Sequence, residues 1–193
     1  AHYVAGDIGP IGALLRPLGT ISFDEAYDLF AEEVRAGVDA GVDLFIIETM
    51  TDLAEIKAAV LACRENSDLP VFATMTFEED GRTFLGTSPE VAAITLDAIG
   101  ADVLGINCSQ GPAELRGLAA RMLTVTDKPV MVQANAGLPR VDDGGNTVFD
   151  IQAPEYAKAV AGMIEDGVSV VGGCCGTTPT HMAALRTLID NHT

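Results

Sequence analysis

Three cysteines stand out for what their chemistry could do together. Cys108 ends the segment Gly-Ile-Asn-Cys, and Cys174 and Cys175 lie side by side in Gly-Gly-Cys-Cys-Gly. Three thiolates converging on one point hold a metal ion with one position left open, and an open position is the mark of chemistry on a bound ligand rather than of a structural staple. Zinc is the expected ion. With three thiolates its first shell is heavily negative, which makes it a poor Lewis acid toward water but suits it to a fourth soft ligand. A thiol bound there loses its proton and keeps its nucleophilic electron density. Each half of the pattern has a plainer reading. Cys108 alone would be a small buried hydrophobe. Cys174-Cys175 alone would be a vicinal pair in a glycine turn, open to a strained disulfide. The stretch 172–178 could also cradle a phosphate, as loops after the last strands of βα barrels often do, but a phosphate gains nothing from two thiols. The joint pattern favours the metal, since glycine flanks permit the dihedrals that turn adjacent ligands to one ion.

Polar residues elsewhere sit where they could serve such a site. Glu48 closes an apolar strand and could bind a substrate ammonium, or favour the start of the following helix. Asn135, in Gln-Ala-Asn-Ala-Gly, could hold an amino-acid substrate, occupy the metal's fourth position until substrate displaces it, or simply form a turn. Asn107 braces the turn beside Cys108. Asp7, in Gly-Asp-Ile-Gly-Pro, reads equally as a rim acid or a turn residue. His181 reads as solvent-facing or as a helix-start residue, not a ligand. Cys63 falls on the helical stripe Ile56, Ala59, Val60, Cys63 and belongs to the core.

The elements that must position these residues alternate. Short, apolar, β-branched runs at 2–5, 44–47, 71–75, 103–106, 130–133 and 168–171 read as strands buried on both faces. Helices between them carry start signals. Ser22-x-x-Glu25 is a capping box for a helix running to about Ala40, with Gly41 as its stop. Ser88-Pro89 and Thr178-Pro179 place an N-cap before proline. Leu115, Leu118, Ala119 and Met122 mark a second buried stripe. The stretch 139–152 reads as a surface hairpin or loop.

Six βα units in succession imply right-handed crossovers in a parallel sheet. No Gly-x-Gly-x-x-Gly follows a first strand, which argues against a dinucleotide-binding open sheet. The polar residues gather at or just past the C-terminal ends of every strand, which a barrel places on one rim. The expected fold is therefore an α/β (β/α)8 barrel, N-terminally truncated, with one partial barrel domain over 1–193 and the first two strands upstream of Ala1.

Composition narrows the class. The chain has 193 residues, 48% of them hydrophobic, and a net charge of −17. That balance argues against nucleic acid and anionic membrane as partners, since both demand Lys and Arg. No apolar run approaches the roughly 20 residues of a membrane span, and no charged-then-apolar leader is seen, so a cytoplasmic setting is expected. There, four cysteines are better read as ligands or catalytic groups than as disulfides.

Gly-Ile-Asn-Cys-Ser, Val-Gln-Ala-Asn-Ala-Gly-Leu-Pro and Val-Val-Gly-Gly-Cys-Cys-Gly-Thr-Thr-Pro, in that order, resemble the homocysteine S-methyltransferase family. Gly-Asp-Ile-Gly-Pro, Ile-Ile-Glu-Thr-Met-Thr-Asp, Thr-Met-Thr-Phe and Gly-Thr-Ser-Pro-Glu extend the likeness over nearly the whole chain, which is most similar to the family's cobalamin-dependent methionine-synthase branch. The resemblance implies a zinc-bearing barrel that transfers a methyl group to homocysteine. In it, Cys108, Cys174 and Cys175 are the zinc ligands, Glu48 binds the homocysteine amino group and Asn135 is an active-site residue. It further implies methylcobalamin as donor, with cobalamin and folate modules as partners on the same longer chain. S-methylmethionine or betaine as donor is the alternative within the family. An alternative of another class is a non-catalytic zinc-binding fragment that needs its missing half. The sequence departs from the family by lacking the opening strand with its Asp-Gly-Ala-Met-Gly-Thr-like end and the strand after it, and by having Ala134 where proline is common.

Overall fold

A computed structural model describes residues 2–192. Six parallel strands lie side by side in the order of the chain: β1 (Ala5–Ile8), β2 (Leu44–Met50), β3 (Val71–Met75), β4 (Val103–Asn107), β5 (Val130–Ala134) and, after a two-stranded antiparallel hairpin of β6 (Arg140–Val141) and β7 (Thr147–Val148), β8 (Val170–Gly173). A helix follows each parallel strand: α1 (Phe23–Ala40), α2 (Leu53–Asn66), α3 (Pro89–Ala98), α4 (Pro112–Leu123), α5 (Ala153–Glu165) and α6 (Pro179–His192). Strand order decides between the two parallel architectures. A doubly wound sheet reverses its order at a switch point, whereas a barrel keeps it. Here the order never reverses, and the sheet forms six of the eight units of a (β/α)8 barrel.

The helices start and stop where their caps dictate. The Ser22 side chain accepts from Glu25 N–H, and the Glu25 carboxylate accepts from Ser22 N–H at 2.8 Å, so two otherwise orphaned donors are satisfied. Gly41 ends α1 at φ 80°, a left-handed conformation that favours glycine. Ser88 and Asp52 cap α3 and α2. The predicted stripes on α2 and α4 are buried, Cys63 among them. Burial pushes the Cys63 thiol up to about 12, so it behaves as packing rather than as a nucleophile.

One face of the sheet packs on the helices. Phe45 shows how closely: a methyl group added at Gly6 of β1 or Gly37 of α1 would lie within 2.8 Å of its ring. The ring therefore bonds strand and helix only because both neighbours lack a Cβ. Alternation along the registered strands assigns Asp7, Ile46, Glu48, Thr74, Asn107, Gln133 and Gly172 to the opposite, concave face.

Three strands differ from expectation by two residues or more, while β4 and β5 each run one residue further than expected. The first lies at Ala5–Ile8 rather than 2–5, because the apolar Tyr3 and Val4 remain exposed. Asp43 clamps Val4 instead, donating its N–H to Val4 O and accepting from Val4 N–H, both at 2.7 Å. The ladder proper begins where Ala5 meets Leu44. The last strand is displaced to Val170–Gly173, since Gly172 and Gly173 pair with Gln133 and Ala134 despite low strand propensity. The second continues past Ile47 to Met50 through a bulge, with the register jumping from Ile47↔Ala73 to Met50↔Met75.

Candidate metal centre

Parallel strands put all their C-terminal ends on one edge, and the three cysteines meet there. Cys108 follows β4, while Cys174 and Cys175 follow β8. Their sulfurs lie within 4.8 Å of one another, and the Cys108 and Cys175 sulfurs are 3.7 Å apart. Three sulfurs at tetrahedral positions about 2.3 Å from one zinc ion are separated by about 3.8 Å, so the cluster fits the ion.

Backbone geometry aims these side chains. Cys108 and Ser109 both adopt left-handed dihedrals, φ 64° and 60°, which are uncommon for residues with a Cβ and mark local strain. Hydrogen bonds hold the turn: Cys108 N–H donates to Gln133 O at 3.0 Å, and Gln110 N–H donates to Cys108 O at 2.8 Å. On the other side, Cys174 N–H donates to Ala134 O at 2.8 Å, and Ala136 N–H donates to Cys175 O at 2.9 Å. Thr177 Oγ1 donates to Cys174 O at 2.7 Å. Both ligand turns are thus suspended from β5, the strand between them.

Asn107 organises the rim. It is fully buried, and its Oδ1 accepts from Thr49 N–H and from Thr74 Oγ1, both at 2.8 Å. Its Nδ2 donates to Thr49 Oγ1 at 2.8 Å and approaches Cys174 Sγ at 4.0 Å. Thr49 carries φ 64°, an outlier for a β-branched residue, and the bonds to Asn107 fix it there. That bulge brings Met50 into register with Met75 just past Glu48. The bracing role expected of Asn107 is therefore larger than a local turn, spanning β2, β3, β4 and the β8 turn.

Asn135 is buried, and its Oδ1 accepts from Cys175 N–H at 3.1 Å, while its side chain also hydrogen-bonds Cys108. Glu48 is half-buried on the concave side. Its carboxyl is raised above the usual range by desolvation, then by the charges of Asp7 and Cys108, against a lowering hydrogen bond from the Gln133 side chain. Asp7, near the end of β1, is exposed and acts on Glu48 through its charge. Among the thiols, Cys108 is drawn down to about 5, chiefly by a hydrogen bond from Cys174. Cys174 is pushed up for the complementary reason, and Cys175 is pushed up by burial first. One thiolate is stabilised by the protons of its neighbours, and a second or third has no cation to oppose its charge.

Two residues differ from, or escaped, the sequence reading. His181 is not solvent-facing. It is buried, its Nδ1 accepts from Thr178 N–H at 3.2 Å, its Nε2 bonds Ile151 O at 3.0 Å, and its ring meets Tyr156 edge-on at 5.5 Å. The helix-start placement does hold, since the imidazole reaches back to the N–H of Thr178, just before α6, as the third-residue side chain of a capping box does, and ties α6 to the 139–152 segment. That segment forms the expected hairpin. Tyr156 carried no signal. Its hydroxyl lies beneath the site, 3.0 Å from Ala134 O and 2.8 Å from Gly172 O, with one proton shared between the ends of β5 and β8.

Comparison with known proteins places this geometry. The homocysteine S-methyltransferase family model matches residues 1–189. The methionine synthase of Mycobacterium tuberculosis is 37% identical over 196 aligned residues, covering 98% of this chain and 16% of that protein. That of Mycobacterium leprae is 38% identical over 194, covering 97% and 16%. The chain thus spans 16% of the length of these curated relatives. The homocysteine methyltransferase MmuM from Escherichia coli, solved in apo and metallated forms, superposes with a TM-score of 0.77 at 24% identity, over 96% of this chain and about 60% of that one.

Proposed function

The chain belongs to the homocysteine S-methyltransferase family, and from that premise we propose that it is the homocysteine-activating part of a zinc-dependent methyltransferase of the methionine-synthase kind. The observation that carries the proposal is the convergence of three sulfurs within 4.8 Å on the rim of a barrel sheet, with Glu48 on the adjoining concave face. Cys108, Cys174 and Cys175 would hold the ion, and the same fold carries a metal in metallated MmuM. Zinc supplies acidification of a thiol at its open position.

The remaining work falls to the chain's own groups. Glu48 receives the substrate ammonium, which a carboxylate desolvated beside Asp7 favours strongly. Asn135 holds Cys175 and faces Cys108, so it sets the orientation of two ligands at once. The ionised homocysteine sulfur would then attack the donor's methyl carbon, forming the S–C bond of methionine while the donor–carbon bond breaks and its electron pair stays with the donor. We assign methylcobalamin as that donor, with cobalamin and folate modules elsewhere on a longer chain. The support is the name and length of the relatives, of which this chain spans 16%. A cytoplasmic setting keeps the thiols reduced, as the site requires. No helix among the described residues is long and apolar enough to cross a membrane.

The test uses the full-length, zinc-loaded protein and follows homocysteine methylation with methylcobalamin, S-methylmethionine and betaine in turn. Turnover with methylcobalamin alone is expected, and turnover with none of the three refutes the activity. Cys108→Ala should lose zinc while its circular dichroism is retained. Unchanged zinc content would sink the metal assignment.

A further inference from the structure

Phe149 lies directly against the backbone of the turn that carries two of the three sulfurs. A methyl group added at Gly176, the residue after Cys175, would sit 2.2 Å from Phe149 Cγ, 2.4 Å from its Cδ2 and 2.7 Å from its Cβ. Only a residue without a Cβ lets the ring come so near, and Gly176 also holds φ 78°, which disfavours any other residue there. A built strap carries the ring to this place. β6 and β7 pair through Arg140↔Val148 and Val141↔Thr147. Asp142 Oδ1 closes the tip, accepting from Gly144 N–H at 2.9 Å and from Asn146 N–H at 2.8 Å. The two feet are pinned together: Ile151 N–H donates to Ala136 O at 3.0 Å, and Arg140 forms an ion pair with Asp150. Phe149 stands on the returning foot, so the pin fixes where its ring falls.

The same segment grips the turn at two further points, since Asn135 Oδ1 accepts from Cys175 N–H and Ala136 N–H donates to Cys175 O. These bonds hold Cys175 from one side, and the half-buried ring covers the bare backbone next to it. Close packing of this kind resists movement, because Gly176 cannot swing outward without displacing the ring. We propose that Phe149 is a positioning residue for the metal centre: acting through Gly176, it holds the Cys174–Cys175 turn shut and slows exchange of the ion. The Cys108 turn hangs from a separate set of bonds, to Gln133 O and from Gln110 N–H, and takes nothing from the strap. The inference rests on the metal reading given above and adds a kinetic lock to it.

The experiment follows zinc release from the full-length, zinc-loaded protein to an excess of a chromogenic chelator, together with hydrogen exchange of the same protein. Phe149→Ala removes the Cγ and Cδ2 that touch Gly176. That loss amounts to roughly two buried methylene equivalents, so release should quicken about tenfold, with zinc content at saturation unchanged. Phe149→Leu keeps a Cβ, a Cγ and a Cδ, the kinds of atom in contact, and should stay within about threefold of wild type. Exchange in Phe149→Ala should rise in peptides covering 173–178 and remain at the wild-type level in those covering 103–109. Unchanged release in Phe149→Ala overturns the lock, and so does release from Phe149→Leu as fast as from Phe149→Ala. Exchange that rises equally in both sets of peptides assigns Phe149 to general stability and overturns it too. Each of these results leaves the metal reading standing. A wild-type protein that holds no zinc overturns the metal reading itself, and this inference with it.

Discussion

Asn107→Ala should loosen the rim more than any other single truncation of a side chain that is not itself a ligand. The substitution strands the Thr49 N–H, which Asn107 Oδ1 accepts at 2.8 Å, and removes the donor that reaches Thr49 Oγ1 at 2.8 Å. A buried amide left without a partner costs about 1–3 kcal/mol, and each further lost bond about 0.5–1.5 kcal/mol net. Thr74 recovers part of this, because its hydroxyl also lies 3.5 Å from Ile47 O and can turn to it. A local destabilisation of about 3 kcal/mol results, equivalent to roughly 150-fold in an opening equilibrium. Hydrogen exchange followed by mass spectrometry, on peptides covering 44–50 and 103–108 of the intact protein, reads that opening directly. The reasoning also fixes a second outcome. Thr49 sits at φ 64° because Asn107 holds it there, so adding Thr49→Gly to Asn107→Ala should return about 1 kcal/mol by easing the dihedral. Protection in Asn107→Ala within about threefold of wild type, or a deeper loss on adding Thr49→Gly, would refute the account.

Other expectations follow from the same geometry. Glu48→Gln should raise KM for homocysteine by about ten- to a hundredfold by weakening a charge-assisted bond. In the wild type, KM should rise as pH falls through the range where Glu48 protonates, and because its carboxyl is raised, that rise should begin at a higher pH than for an ordinary carboxylate. In the metal-free protein Cys108 is held near 5 rather than 9.0, so the stability its thiolate contributes is full above about pH 9, declines below it, and is gone below about 5. Thiolate absorbance in the ultraviolet should show that step and lose it in Cys108→Ala. Tyr156→Phe should cost about 1 kcal/mol by removing the proton shared between Ala134 O and Gly172 O, seen as faster exchange at the ends of β5 and β8.

Local signals carried most of the fold. The Ser22–Glu25 box and the Cys63 stripe needed only neighbours in sequence, and both hold as read. The convergence of the three cysteines was legible because glycine-flanked cysteines after apolar strands end on one edge of a parallel sheet. What escaped depends on partners far along the chain. The offset of β1 follows from the Asp43 clamp on Val4, and the extension of β2 follows from the grip of Asn107 on Thr49. The burial of His181 rests on Ile151. Strand propensity and periodicity carry no trace of any of these contacts.

Suspension of both ligand turns from β5 has a further consequence. The cysteine turns belong to strands that are not neighbours, so each takes its position from a separate set of bonds to Gln133, Ala134 and Ala136. A slip of β5 by one residue would exchange its two faces, turning Gln133 toward the helices and breaking the bonds that hold each turn in place. The sulfurs would then part, and a chain so misaligned would have nothing to bind the ion with. If the three cysteines hold an ion as proposed, metal capture would act as a proofreader of strand alignment. It would add its binding free energy only to chains whose β5 is correctly threaded and leave the misaligned ones to unfold or be degraded.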